Sequence, residues 1–255
     1  MSGALEIAAI GMRTQQRALD AIANNVSNMN TPAFKGSELR FSELISAAAT
    51  QTADARSSRI DPISGVELLL SPLIDAQGKL QSTGDPLDIA IDGTGFMELM
   101  GPAGQTMLWR GGKLKILEDG TLATAAGFPL KANISVPEDA ATLRIDRSGK
   151  VMVTLGDAPD EVELGIINLV KISDPTLIER LAGGVYSVQD ETIVTEGGAG
   201  EDGLGQLVQA SLEQSNVDLN REMVNLIVTQ RAYSASAQML KAADELYSIA
   251  NNLRS

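Results

Sequence analysis

Residues 219–253, LNREMVNLIVTQRAYSASAQMLKAADELYSIANNL, decide the architecture. Leu219, Leu226, Tyr233, Leu240 and Tyr247 recur every seven residues, flanked by Met223, Ala237, Met239, Leu246 and Leu253. That period sets apolar side chains along one stripe of an α-helix, the pattern of a coiled-coil seam. Asp218 is placed to cap its N-terminus, and at about 1.5 Å per residue the helix reaches on the order of 50 Å. A lone helix of this kind leaves its stripe in water, so the pattern demands a partner.

The opposite end of the chain offers one. Leu5, Met12, Leu19 and Val26 keep the same period, with Ala8, Ala9, Ile22 and Ala23 beside them. The pattern stops at Asn28-Met29-Asn30-Thr31-Pro32, where Asn favours turns and Pro32 pushes Thr31 out of the helical region. Periodicity alone leaves two partnerships equally open, an antiparallel hairpin of the two arms and packing between subunits. Gln15, Gln16, Gln230 and Asp244 within the seams, and the many small residues, lean towards packing among several neighbours.

Between the arms, short runs bounded by turn residues predict strands over Leu87–Ile91, Phe96–Leu99, Lys113–Leu117, Leu143–Ile145, Val151–Leu155, Leu164–Ile172 and Tyr186–Val188. Asp75 to Leu80, Glu118 to Leu122 and Asp146 to Val151 each combine an acidic residue with a glycine, as tight turns between strands require. Residues 46–58 are rich in Ala, Thr, Ser and Gln and read as an accessory segment. The expected fold class is α+β, with N- and C-terminal helices forming a coiled-coil-like α-domain around a β-rich middle. The expected segments are 1–35 as first helix and turn, 36–75 as connection, 76–206 as β-rich middle and 207–255 as second helix.

Composition narrows the function. The 255 residues are 44% hydrophobic and 3% aromatic, so the chain folds around an aliphatic core. It contains no cysteine and no histidine, which removes disulfide frameworks, thiol nucleophiles, Ser-His-Asp triads and Cys/His metal sites. Each helical arm carries one more basic than acidic residue, so of the net charge of −13 the middle, residues 41–218, holds −15, and the acidic balance argues against nucleic acid or anionic membrane as partner. Residues 1–10 lack a basic region followed by an apolar run, so no Sec-type leader is expected, and no run of about 18 apolar residues predicts a membrane span.

Several groupings imitate chemistry. Gly198 to Gly203 spells G-x-G-x-x-G, but Glu201 and Asp202 repel phosphate and no helix period opens there, so a loop is expected. Asp85, Asp88 and Asp92 match no EF-hand spacing, and strand alternation separates the first two. Glu118 with Asp119, and Asp160 with Glu161, are sequence neighbours whose side chains diverge, unlike a glycosidase pair. Trp109 beside Arg110 is expected to pack at the domain surface. No catalytic residue, cofactor or metal is expected; a carboxylate-based cell-wall hydrolase and a Ca²⁺-binding secreted module are the rival functions.

Asn24-Asn25-Val26-Ser27-Asn28-Met29-Asn30-Thr31-Pro32-Ala33-Phe34-Lys35 resembles the N-terminal motif of the bacterial flagellar axial proteins, the rod and hook family, with Ala33 where glycine is usual. Gly84 to Phe96 resembles that family's entry strand, and Glu213-Gln214-Ser215-Asn216-Val217-Asp218 with Gln230-Arg231-Ala232-Tyr233 resembles its C-terminal helix motif. Trp109 to Leu114 departs from the usual Tyr-Thr-Arg-x-Gly-x-Phe. Chain length suits a rod protein carrying one β domain, since the family's hook protein is longer and its smallest rod proteins lack the middle domain; Gly11 to Gln16 and the run from Phe34 through Phe41 and Leu44 resemble the distal rod protein more than the proximal one.

This resemblance implies a non-enzymatic subunit of a helical tube, with paired terminal helices inside and β domains outside, transmitting torque from motor to hook. It implies passage through the flagellar type III export apparatus without a cleaved signal. Partners would be further copies, other rod and hook proteins and the rings around the rod, at the periplasmic basal body. The implied motif residues are Asn24, Asn25, Asn28, Thr31, Pro32, Phe34, Lys35, Ser215, Asn216, Val217, Gln230, Arg231, Ala232 and Tyr233. The assembly seam would be Leu5, Met12, Leu19, Ile22, Val26, Leu219, Met223, Leu226, Tyr233, Leu240 and Tyr247.

Overall fold

The computed structural model describes residues 2–44, 65–102, 104–156, 161–174, 177–188 and 191–252. The 46–58 segment lies outside the described residues. The chain divides into two compact units, one of Met1–Ser27, Ser37–Ser71 and Asp218–Ser255, the other of Asn28–Gly36 and Pro72–Val217.

The first unit holds both helices, α1 (Ser2–Ser27) and α2 (Leu219–Asn252), and a two-stranded sheet of β1 (Ser37–Leu44) and β2 (Gly65–Pro72). Asp218 caps α2 as its residue type requires, its Oδ1 accepting from Asn220 N at 2.9 Å. The helices run antiparallel within this unit. Asn25 bonds Glu222 and Gly11 faces Ser236, so fourteen residues backward along α1 correspond to fourteen forward along α2.

The second unit is built on a six-stranded sheet in the order β13 (Ile178–Arg180), β14 (Val185–Val188), β6 (Thr106–Trp109), β5 (Phe96–Met100), β12 (Leu169–Ile172) and β15 (Val194–Gly197). Its side chains alternate between two cores, as the pleat dictates. Met97, Leu99, Met107, Trp109 and Leu169 point to a large core shared with Ile89, Ile91, Leu114, Val151 and Leu207. Phe96, Leu108, Val170 and Tyr186 point to a smaller one with Ile74 and Val188. The large core is also covered by a four-stranded sheet of β16 (Gln206–Gln209), β4 (Asp88–Asp92), β7 (Gly111–Ile116) and β8 (Leu122–Thr124), and by a meander of β11 (Glu161–Ile166), β10 (Lys150–Leu155) and β9 (Ala140–Ile145). A short pair of β17 (Ser211–Glu213) and β3 (Leu80–Ser82) completes the unit.

Three expectations change here. The strand expected over Leu164–Ile172 is two strands, because buried Ile167 donates its N–H to Gly149 O and the chain changes sheets at that point. Trp109 is 3% exposed and sits in the large core, not at the surface. The Asp75 to Leu80 stretch is no hairpin: it leads from β2 into β3, and Gly78 is required because a Cβ there would overlap Gln214 O at 1.8 Å. The turns at Asp119-Gly120 and Asp146 to Gly149 form as read, with both glycines at positive φ (+81° and +88°).

Candidate functional site

On α1 the buried residues are Ala8, Thr14, Ala18, Ile22 and Asn25, and on α2 they are Glu222 and Thr229. Apart from Ile22, the fully buried side chains described on these helices are therefore small or polar. Met12, Leu19, Val26, Leu226 and Leu240 are half-buried, while Leu219, Met223 and Tyr233 are exposed; the side chains of Leu5 and Tyr247 lie outside the described residues. The large apolar residues of α2 lie mostly in water, with Met223, Val224, Ile227 and Val228 at 54%, 60%, 51% and 61% exposure. Met239, Leu246 and Ile249 are exposed farther along the helix, beyond exposed Arg231, Ser234 and Gln238. An exposed apolar cluster such as that of Met223, Val224, Ile227 and Val228 on a folded chain marks an interaction surface.

The Asn-rich motif does its structural work through Asn25. Its Oδ1 accepts from Ser37 N at 2.9 Å, and its Nδ2 donates to Ser37 O at 2.9 Å and to Glu222 Oε1 at 3.0 Å. One buried amide thus fixes the end of α1, the start of β1 and the first turn of α2. Among the described residues Glu222 Oε2 is buried without a hydrogen-bond partner, so Asn25 is the group that makes this carboxylate tolerable in place. Asn24 is exposed on the same turn; Gln230 and Arg231 are exposed and Ala232 half-buried on α2.

Farther along, Thr31 N and Oγ1 bond Asn28 O and Oδ1 at 3.0 and 3.2 Å, and exposed Pro32 ends the turn. Residues 33–36 then lie beside 213–216: Ala33 N donates to Glu213 O, Asn216 N to Phe34 O, and Gly36 N to Asn216 Oδ1. Asn216 Nδ2 also reaches Leu73 O and Ala76 O, and Ser215 Oγ accepts from Val217 N. Ala33 has φ +56°, which a Cβ disfavours by roughly 1–2 kcal/mol. Ala33→Gly is therefore expected to raise the second unit's stability by about 1 kcal/mol in urea unfolding followed by Trp109 fluorescence; unchanged or lower stability contradicts strain at this turn.

Three buried charges converge behind this segment. Lys35 Nζ donates to Glu213 Oε1 at 2.6 Å and to Ala76 O at 2.8 Å, while Arg110 Nε donates to Glu213 Oε2 at 2.9 Å. Gly78 N adds a third donor to the carboxylate at 2.8 Å, and the Arg110 guanidinium also binds the carbonyls of Gly93 and Gly95. All three side chains are at most 2% exposed. Burial, then the adjacent Arg110, pushes the Lys35 ammonium below its usual range, and Glu213 opposes both. Arg180 closes the site, lying 4.3 Å over the Phe34 ring and bonding Lys35 O. Neither Arg110 nor Arg180 was assigned this role from sequence, because their partners lie far away in the chain.

The other groupings are structural. Asp85 bonds Lys113 at 2.6 Å and accepts from Leu87 N, contacts that hold its carboxyl below the usual range. Asp88 accepts from Thr83 Oγ1, and exposed Asp92 from Gln77 Nε2. Asp119 accepts from Thr121 N. Glu161 pairs with Arg144 at 3.1 Å, and Asp160 lies outside the described residues. Gly198 to Gly203 is a loop between β15 and β16. Among the described residues no three acidic groups converge as a metal set, and no helix is long and apolar enough to cross a membrane.

Comparison with known proteins finds three matching family models. Residues 5–35 match "Flagella basal body rod protein", residues 90–153 match "Flagellar hook protein FlgE/F/G D1 domain", and residues 208–253 match "Flagellar basal body rod FlgEFG protein C-terminal". The flagellar basal-body rod protein FlgG of Borreliella burgdorferi is 34% identical over 266 residues, covering 100% of this chain and 99% of the relative. Those of Agrobacterium fabrum and Caulobacter vibrioides are 33% and 32% identical, covering 96% and 99% of this chain and 97% and 99% of theirs.

Proposed function

Because the chain belongs to the flagellar basal-body rod protein family and is a structural subunit of that rod, we propose that it forms the distal rod. Copies polymerise into a helical tube that transmits torque from motor to hook, with no catalytic step. The observation that carries this reading is the apolar face of α2, with Met223, Val224, Ile227 and Val228 exposed on a chain whose relatives are rod proteins. Such a face gains stability only when covered, and identical copies cover it by repetition. The coiled-coil character of the helices belongs to this assembled state, where the seam residues meet those of neighbours.

The functional segments of this subunit are 1–35, 36–75, 76–206 and 207–255. Its partners are further copies, neighbouring rod and hook proteins, the rings around the rod and the flagellar export apparatus, through which it leaves without cleavage of its N-terminus. Electron microscopy of basal bodies from a strain lacking the gene tests this. The expected particle keeps a cell-proximal rod stub and lacks distal rod and hook, and complementation restores a rod whose subunit retains residues 1–30. A complete rod in the deletion strain contradicts the assignment, and a complemented subunit shortened at its N-terminus contradicts the mode of export.

A further inference from the structure

The Lys35, Arg110 and Glu213 cluster has one carboxylate between two cations, contributed by segments 178 and 103 residues apart. Glu213 arrives on β17, which pairs with β3, and β16 immediately before it supplies an edge of the four-stranded sheet. We propose that this cluster is a closure device, making the fold of the β-rich unit conditional on docking of residues 211–216, so that a chain emerging N-terminus first stays open until those residues are released. The inference rests on the geometry of this unit alone and stands whether or not the rod reading does.

Before residues 211–216 dock, Lys35 and Arg110 would be two like charges brought together out of water. Arg110 cannot shed its proton, and an uncompensated buried charge is strongly destabilising. Burial and Arg110 already push the Lys35 ammonium down, and Glu213 is the leading group that holds it up. Asp75 adds a weaker attraction, and Arg180 from β13 binds the Lys35 carbonyl and lies over the Phe34 ring. Docking supplies the missing charge together with backbone contacts: Ala33 N to Glu213 O, Gln214 N to Lys79 O, and Gly78 N to the Glu213 carboxylate. The closing segment thus brings both the counter-charge and the stitches that bind the N-terminal motif.

Two full-length variants separate this from ordinary loss of a contact. Glu213→Gln keeps shape and removes charge. Gly78→Ala keeps all three charges but sets a Cβ against the Gln214 carbonyl, blocking docking. Both are expected to shift Trp109 emission to longer wavelength on partial opening, lower the urea midpoint by about 2 M, and speed amide exchange in β4 and β7. Adding Lys35→Met to Glu213→Gln removes one stranded cation and is expected to restore at least half of that midpoint. Wild-type emission, midpoint and exchange in either single variant overturn the proposal, and absence of rescue in the double variant overturns its electrostatic basis.

Discussion

Asn25→Ala is expected to lower the stability of the helical unit by about 3 kcal/mol, through stranded groups more than through lost volume. Removal of the amide leaves Ser37 N and O without their side-chain partner and deprives the buried Glu222 of the hydrogen bond on Oε1, while Oε2 has none to begin with. A buried polar group left unpaired costs about 1–3 kcal/mol and a charged one more. In a thermal melt followed by far-UV circular dichroism, the helix signal should fall at least ~10 °C early. Trp109 emission serves as reference for the β-rich unit, where the residue is buried. Asn25→Asp should be no better, since it turns the donor facing Glu222 into a second carboxylate. A melt within 2 °C of wild type, on the scale of about 0.5 kcal/mol, would show that this amide is dispensable.

The second large effect falls on assembly and leaves the single chain intact. Ile227 and Val228 are more than half exposed on α2, so Ile227→Asp and Val228→Asp should change subunit stability by no more than about 0.5 kcal/mol. In the proposed rod packing the same positions face a neighbour, so a carboxylate there would be desolvated without a counter-charge at every subunit interface, at a cost of several kcal/mol each. The variants should express, melt as wild type and leave cells without hooks or motility. Leu226→Asp and Leu240→Asp probe the same helix less cleanly, because both residues are half-buried within the subunit and their substitution also disturbs the pair. Motile cells carrying Ile227→Asp or Val228→Asp would remove this face from the assembly.

The helices were legible because their heptad period survives over 26 and 34 residues. Which stripe meets which partner was not legible. The sevenfold apolar pattern and its flanks point to Leu219, Met223 and Tyr233, which are exposed, yet within the chain the buried positions are Ala8, Thr14, Ala18, Ile22, Asn25, Glu222 and Thr229, of which only Ile22 belongs to the expected seam. Periodicity locates a face and is silent about whether another arm of the same chain or another copy covers it. Strands with recognisable flanks, such as β5 and β10, were readable. Thr106–Trp109 was missed because the central sheet is buried on both faces, Met107 and Trp109 in one core and Leu108 in the other, so no alternation survives. The Lys35, Arg110 and Glu213 cluster was illegible for a different reason: sequence shows three common charged residues, and only the fold brings them together. Asn25 stood inside a recognised motif, while its bond to Glu222, 197 residues away, needed the structure.

A cryo-electron microscopy reconstruction of the rod from intact basal bodies tests the central claim most directly. It should show this chain in the rod wall, with Met223, Val224, Ile227 and Val228 packed against helices of adjacent subunits and excluded from solvent. A reconstruction that places the chain elsewhere in the basal body, or leaves that face of α2 open to solvent within the rod, would contradict the account.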